Sequence, residues 1–213
     1  MTASETSLRE QICLLAKSLY DRGLAHGSTG NLSARCPDGG LLISPTNSSF
    51  GFLDPNDLVK FDEDGNQISL GKPTKEMALH TAFYDTQGSH VGAVVHLHCH
   101  YSVMLSMMPD VDEDDMLPPL TPYPPMKLGR VKLLPYFEPG DDAMGDAVRD
   151  LGGERSAVVL ANHGPVVAAK DIRSAVFAIE ELEAAARLAV DTSGRNPTQL
   201  TPEQIKRLMA FIS

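Results

Sequence analysis

His96 and His98, two residues apart in Val94-Val95-His96-Leu97-His98, are the residues of this chain best able to do chemistry together. Residues 92–95 are small or β-branched and predict a buried strand. On a strand, residues i and i+2 point to one face, so two imidazoles leave the same rigid edge side by side. A metal ion asks this of two of its ligands. A third histidine, His163 in Ala161-Asn162-His163-Gly164, also ends an apolar run and so also stands at a strand end. Three such histidines suit a zinc-type divalent ion with one position open for substrate. A strand-end histidine taken singly is more often structural than a ligand; the spacing of two after an apolar run brings the metal reading level with that one. His100 continues the alternation, but 101–108 predicts a helix. The strand therefore ends near His98, and His100 is left outside the ligand set.

The elements that must position these residues follow from patterning. Ser7-Leu8-Arg9-Glu10 reads as a capping box, with Leu8, Ile12, Leu15 and Leu19 at helical spacing and Gly23 as a stop. The Gly- and Asn-containing turn 26–31 can direct backbone N–H groups inward as an anion nest, and 45–49 is a second polar turn of similar chemistry. A plain turn explains either by itself. Hairpins are predicted over 32–44 and, around Asp64-Gly65, over 58–70. Thr74 is placed as the N-cap of a helix running through Met77, Leu79, His80, Phe83 and Tyr84, with Glu76 in its first turn, where a carboxylate ordinarily offsets the helix dipole. The acidic, proline-rich stretch 109–125 reads as a long irregular loop holding Tyr123, and loops of that length tend to be functional or interfacial. Strands follow at 131–136, 158–160 and 165–169. Helices follow at 141–151, from an Asp171 cap through Ile172, Val176, Ile179, Leu182 and Leu188 to 190, and from a Thr201-Pro202-Glu203-Gln204 cap to Phe211. This order fits a mainly antiparallel sheet covered by helices.

Composition narrows the function classes. With 213 residues, 42% apolar and 22% charged, the chain is expected to be one domain, 1–213, with a substantial core. No apolar run nears the roughly 20 residues of a membrane span, and the polar N-terminus lacks a signal-like segment, so a cytoplasmic location is expected. A net charge of −10 disfavours nucleic acid and anionic membranes as partners. Cys13, Cys36 and Cys99 form neither a disulfide framework nor a C-x-x-C pair, and Cys99 is read as buried and structural.

Five motifs in order, Gly27-Ser-Thr-Gly-Asn31, Ser44-Pro-Thr46, Pro73-Thr-Lys-Glu76, Val94-Val-His-Leu-His98 and Ala161-Asn-His-Gly164, resemble the class II aldolase/adducin superfamily along nearly the whole chain. The resemblance implies a three-layer α/β/α sandwich around a mainly antiparallel sheet, usually in a cyclic homotetramer. It implies one Zn²⁺ per chain, or another divalent ion, held by His96, His98 and His163. Glu76 takes the place of the family's catalytic acid/base, which can also ligate the metal. Tyr123 resembles the loop tyrosine that the fuculose phosphate aldolases lend to a neighbouring subunit as a proton donor.

Lys75, where aldolase branches carry small hydroxyls, together with Thr121-Pro-Tyr123 and Asn162-His-Gly-Pro165, resembles the branch that decarboxylates 3-oxo-tetronate 4-phosphate. That implies a lyase of sugar acid breakdown acting on a phosphorylated four-carbon keto acid. It would yield dihydroxyacetone phosphate and CO₂ through an enediolate whose charge the metal takes up. Gly30, Asn31, Thr46 and Asn47 would hold the phosphate, with Thr74 and Lys75 completing the cradle or Lys75 holding the carboxylate. Asn47 departs from the family, whose members usually carry Gly there, and is expected to crowd or alter that turn. A fuculose- or rhamnulose-phosphate-type aldolase, a methylthioribulose phosphate dehydratase and a metal-free adducin-like interaction module stand as alternatives.

Overall fold

The computed structural model describes residues 2–212; Met1 and Ser213, the two ends of the expected 1–213 domain, lie outside the described residues. Seven strands form one sheet in the order β3-β2-β1-β4-β7-β6-β5. They are β1 (Asn31–Arg35), β2 (Leu41–Ile43), β3 (Val59–Phe61), β4 (Ala93–His96), β5 (Lys132–Leu134), β6 (Ala157–Leu160) and β7 (Gly164–Ala169). Every pairing is antiparallel except β5 with β6.

The pleat divides the core between two faces. On β4, Ala93 and Val95 join one buried cluster and Val94 the other; on β6, Ala157 and Val159 part in the same way from Val158 and Leu160. The first face is covered by α1 (Ala3–Asp21), α3 (His100–Ser106) and α6 (Ile172–Thr192), the second by α2 (Met77–Gln87) and α5 (Ala143–Arg149). The three layers follow from this alternation. His96 continues the Val94 side and so emerges toward the layer that holds α2. Among the described residues no helix is long and apolar enough to cross a membrane.

Several boundaries differ from expectation for physical reasons. The first helix starts a turn early: Thr2, not Ser7, caps it, its hydroxyl accepting from the Glu5 N–H at 3.2 Å. The Thr2-x-x-Glu5 pattern prevails because Glu5 then buries against Arg9 at 2.9 Å and Lys60 at 2.7 Å, tying α1 to β3. The second arm of the 58–70 hairpin is not a strand. It reaches the sheet through one bridge, Phe61 to Gln67, because Asp62 folds the turn onto the N–H groups of Asp64 and Asn66, leaving Ile68 and Leu70 exposed.

Tyr123 is not in a loop but opens α4 (Tyr123–Leu128), since Pro124 and Pro125 fall in the first helical turn, where proline is tolerated. Leu188 is 37% exposed rather than core. The remaining caps hold. Asp171 accepts from Ser174 N–H at 2.7 Å, and Thr201 and Gln204 cap α7 (Pro202–Ile212) reciprocally at 2.7 and 3.2 Å.

Candidate metal centre and active site

The strand end of β4 and the turn between β6 and β7 bring His96, His98 and His163 into one cluster, with ligand atoms all within 4.8 Å of one another. The ring centroids form a near-equilateral triangle of 5.0, 4.9 and 4.7 Å. Two glycines permit this crowding. A Cβ at Gly164 would lie 2.1 Å from the Leu97 carbonyl, and one at Gly30, whose φ is +82°, would lie 2.9 Å from the His96 carbonyl. Asn162, at φ 58°, takes the left-handed position that turns His163 inward, and its N–H donates to Ser106 Oγ at 3.0 Å. Behind the pair, the Glu183 carboxylate accepts from the N–H groups of Tyr101 and Ser102, both at 2.8 Å, and so anchors the start of α3.

The imidazoles are set up as lone-pair donors. His96 Nδ1 lies 2.9 Å from the Pro165 carbonyl oxygen, which can only accept, so Nδ1 carries the proton and Nε2 presents its lone pair. Burial pushes His96 down to about 3, with His163 adding to the shift and the Pro165 carbonyl opposing it. Burial, with His96 and His163, likewise holds His98 at about 3. His163 is lowered by burial against the opposing pull of Glu76. All three are neutral at pH 7, as metal ligation requires.

Thr74 does not cap α2. Glu76 occupies the cap position, and Thr74 Oγ1 instead accepts from the Glu76 N–H at 3.3 Å. The Glu76 carboxylate bonds none of the helix's N-terminal amides, so it is not a dipole-compensating residue at the surface. It is buried, with Oε2 at 3.5 Å from His96 Nε2 and Oε1 at 3.4 Å from His163 Nε2. Asn31 Nδ2 donates to Oε2 at 2.6 Å. Among the described residues no Lys or Arg pairs with Glu76. A buried carboxylate beside three neutral imidazoles is an uncompensated charge, and His163 Nδ1 is a buried polar atom with no partner. A divalent cation fits this donor set.

The two polar turns abut the same region. Ser44 exchanges hydrogen bonds with Leu32, and Thr46 N–H donates to Lys72 O at 2.9 Å while Thr74 N–H reaches Ser44 O at 3.2 Å. Thr46 and Asn47 therefore stand beside the segment that carries Thr74, Lys75 and Glu76. Among the described residues, the backbone N–H groups of Gly27, Ser28, Gly30 and Asn47 have no backbone partner in the turns and loops. Asn47 sits at φ 57° with its side chain exposed. Asparagine tolerates this left-handed position, so glycine's place is filled without crowding the turn. Lys75 is exposed and forms no ion pair among the described residues. The side chain of Asn31 is held by Glu76 at its amide nitrogen and by His80 at its amide oxygen.

Tyr123 is not brought to the cluster. It is 55% exposed at the head of α4, which packs on α6 and α7. His100 is exposed at the first residue of α3 and lies outside the triad. Sequence reasoning missed Ser33, His80 and Tyr84, which form a buried polar row behind Asn31. The signal was present: Glu76, His80 and Tyr84 recur every four residues, and Asn31 and Ser33 alternate on a strand. Cys99 is buried, its thiol pushed up by burial and by Glu183.

The class II aldolase and adducin N-terminal domain model matches residues 10–190. A 3-oxo-tetronate 4-phosphate decarboxylase of Escherichia coli K12 is 42% identical over 204 residues, 96% of each chain. An L-fuculose phosphate aldolase of Methanococcus maripaludis is 37% identical over 179 residues, 84% of this chain and 92% of its own. The crystal structure of YgbL from Escherichia coli superposes with a TM-score of 0.92 at 41% identity, covering 96% of this chain and 98% of that one.

Proposed function

The chain belongs to the class II aldolase and adducin family, and from that membership we propose that it is a carbon–carbon lyase removing CO₂ from 3-oxo-tetronate 4-phosphate. The observation that carries this reading is the buried Glu76 carboxylate, unpaired by any Lys or Arg among the described residues and set against the neutral imidazoles of His96 and His163. His96, His98 and His163 would hold one divalent ion, for which the three-nitrogen donor set suits zinc, and Glu76 stands beside it as a further oxygen donor. When bound, the ion supplies a Lewis acid that draws off the negative charge released in the reaction.

The remaining chemistry falls to the chain. Breaking C1–C2 of a 3-keto acid releases CO₂ and leaves an electron pair on C2, shared with the C3 carbonyl. One proton delivered to C2 gives dihydroxyacetone phosphate. Glu76, which takes up a proton from solvent before each turnover, is the group that delivers it. The free N–H groups at Gly30 and Asn47, with Thr46 and Thr74, cradle the phosphate. Lys75, exposed, next to Glu76 in sequence and without an ion pair among the described residues, meets the second anion. It orients the carboxylate without holding it tightly, because tight binding in the ground state would oppose release of the charge. The active form is a homotetramer in which Tyr123 of one subunit serves the site of another, a reading supported by its exposure.

The aldolase relative keeps ketose phosphate cleavage as the second reading, since both reactions leave the same electron pair beside a carbonyl. Paired assays on one preparation separate the two. The wild type should process the keto acid and barely cleave fuculose or rhamnulose 1-phosphate. Lys75→Ser should lose kcat/KM chiefly on the keto acid, which alone carries a second anion. An equal loss on both substrates would remove Lys75 from substrate selection.

A further inference from the structure

We infer that Tyr84, Ser33 and His80 are positioning residues that act through Asn31 to hold the Glu76 carboxylate in one orientation. This rests on Glu76 being the proton-handling group. The row is continuous and buried: Tyr84 OH to Ser33 Oγ at 2.8 Å, Ser33 Oγ to His80 Nδ1 at 2.8 Å, His80 Nε2 to Asn31 Oδ1 at 2.5 Å, and Asn31 Nδ2 to Glu76 Oε2 at 2.6 Å.

Chemistry fixes the direction of each link. A carboxylate only accepts, so the amide nitrogen of Asn31 must face Glu76 and its oxygen must face His80. An amide oxygen only accepts, so His80 Nε2 carries the proton. His80 is fully buried and touches no carboxylate, so it is neutral and Nδ1 is an acceptor. Ser33 must then donate to Nδ1 and accept from Tyr84. Every donor points the same way, and the row terminates on one oxygen of Glu76.

The consequence lies at the carboxylate. An Asn side chain without a fixed partner at its oxygen is free to flip, which would set that oxygen against Glu76 Oε2. Two acceptors would then face each other, and the carboxylate would swing from its place between His96 and His163. His80 blocks the flip by occupying the amide oxygen, and Ser33 and Tyr84 hold His80 in the only tautomer that can do so. Among the described residues the side-chain hydrogen bonds of the row reach the cluster only through Asn31 and Glu76, so it governs how Glu76 points rather than whether an ion binds.

Four variants of the metal-loaded protein test this against Glu76→Gln. His80→Leu should lower kcat about 10–100-fold, as loss of a supporting hydrogen bond at a reacting group does, with KM within about twofold and metal content unchanged. His80→Gln, whose amide can donate to Asn31 and accept from Ser33, should recover most of that loss. Tyr84→Phe and Ser33→Ala should fall between. Independently of activity, ¹⁵N-histidine NMR of the wild type should show His80 as the Nε2–H tautomer, with a slowly exchanging proton close to the Asn31 amide. An Nδ1–H tautomer overturns the inference even if His80→Leu fails to fold. Wild-type kcat in His80→Leu alongside a crippled Glu76→Gln overturns the inference alone. Wild-type kcat in Glu76→Gln overturns both it and the reading of Glu76.

Discussion

Asn31 and His96 face each other as direct partners across the β1–β4 ladder. Opposed residues share a face, so one register sets both the amide that holds Glu76 and an imidazole of the cluster. A slip of one residue would send these side chains to opposite faces of the sheet. Metal content reads out the three histidines and turnover reads out Glu76, so different variants test the two.

Metal content is the first separable quantity. Purified protein should carry about one divalent ion per chain, and His96→Ala, His98→Ala or His163→Ala should each lose it. His100→Ala, altering an exposed residue at the head of α3, should retain it. Elemental analysis reads the result; full occupancy in all three ligand variants would show that the ion sits elsewhere.

Glu76→Gln preserves size and keeps an acceptor for Asn31 but cannot carry the proton. Turnover should fall roughly 10²–10⁴-fold. The fold should survive, since Glu76 bonds none of the α2 N-terminal amides, and circular dichroism should match the wild type. Unchanged turnover would leave Glu76 with no part in proton transfer.

Much of this arrangement was legible before the fold. The H-x-H spacing needs only the period of a strand, and the apolar run before His163 needs only a strand end; both are local signals. Tertiary competition decided the rest. Two cap candidates, Thr2 and Ser7, competed at the N-terminus, and Thr2 prevailed because Lys60, 55 residues from Glu5, supplies Glu5 with a buried partner. Thr74 is a good cap by type, yet Glu76 took the cap position while its side chain turned to Asn31 and the histidines. The row from Tyr84 to Asn31 joins a helix stripe to a strand face, and no local pattern announces that pairing.

Assembly gives a third test. Tyr123 stands exposed on α4. Sedimentation should show a homotetramer, and Tyr123→Phe should lower turnover without dissociating it. A fully active monomer would remove any role for Tyr123 between subunits.

Stability should respond to acid through the cap of α6. Burial pushes the Asp171 carboxyl up, but the Ser174 N–H and side chain, with Lys170 and Arg173 nearby, outweigh it and hold the group below its usual value. A depressed folded value means the contribution is present above the unfolded pKa of about 3.9 and fades as pH falls through the folded one. Asp171→Ala should cost about 1 kcal/mol at pH 7, roughly 2–4 °C in Tm. The difference from wild type should shrink below about pH 4. A gap that stays constant into that range would assign the cost to something other than the carboxylate.

The reaction itself is the most direct measurement. Metal-loaded protein supplied with 3-oxo-tetronate 4-phosphate should release CO₂ and dihydroxyacetone phosphate in equal amounts, at a rate that collapses in Glu76→Gln. Absence of CO₂ from the keto acid, together with efficient cleavage of a six-carbon ketose phosphate by the same preparation, would contradict decarboxylation and make the protein an aldolase.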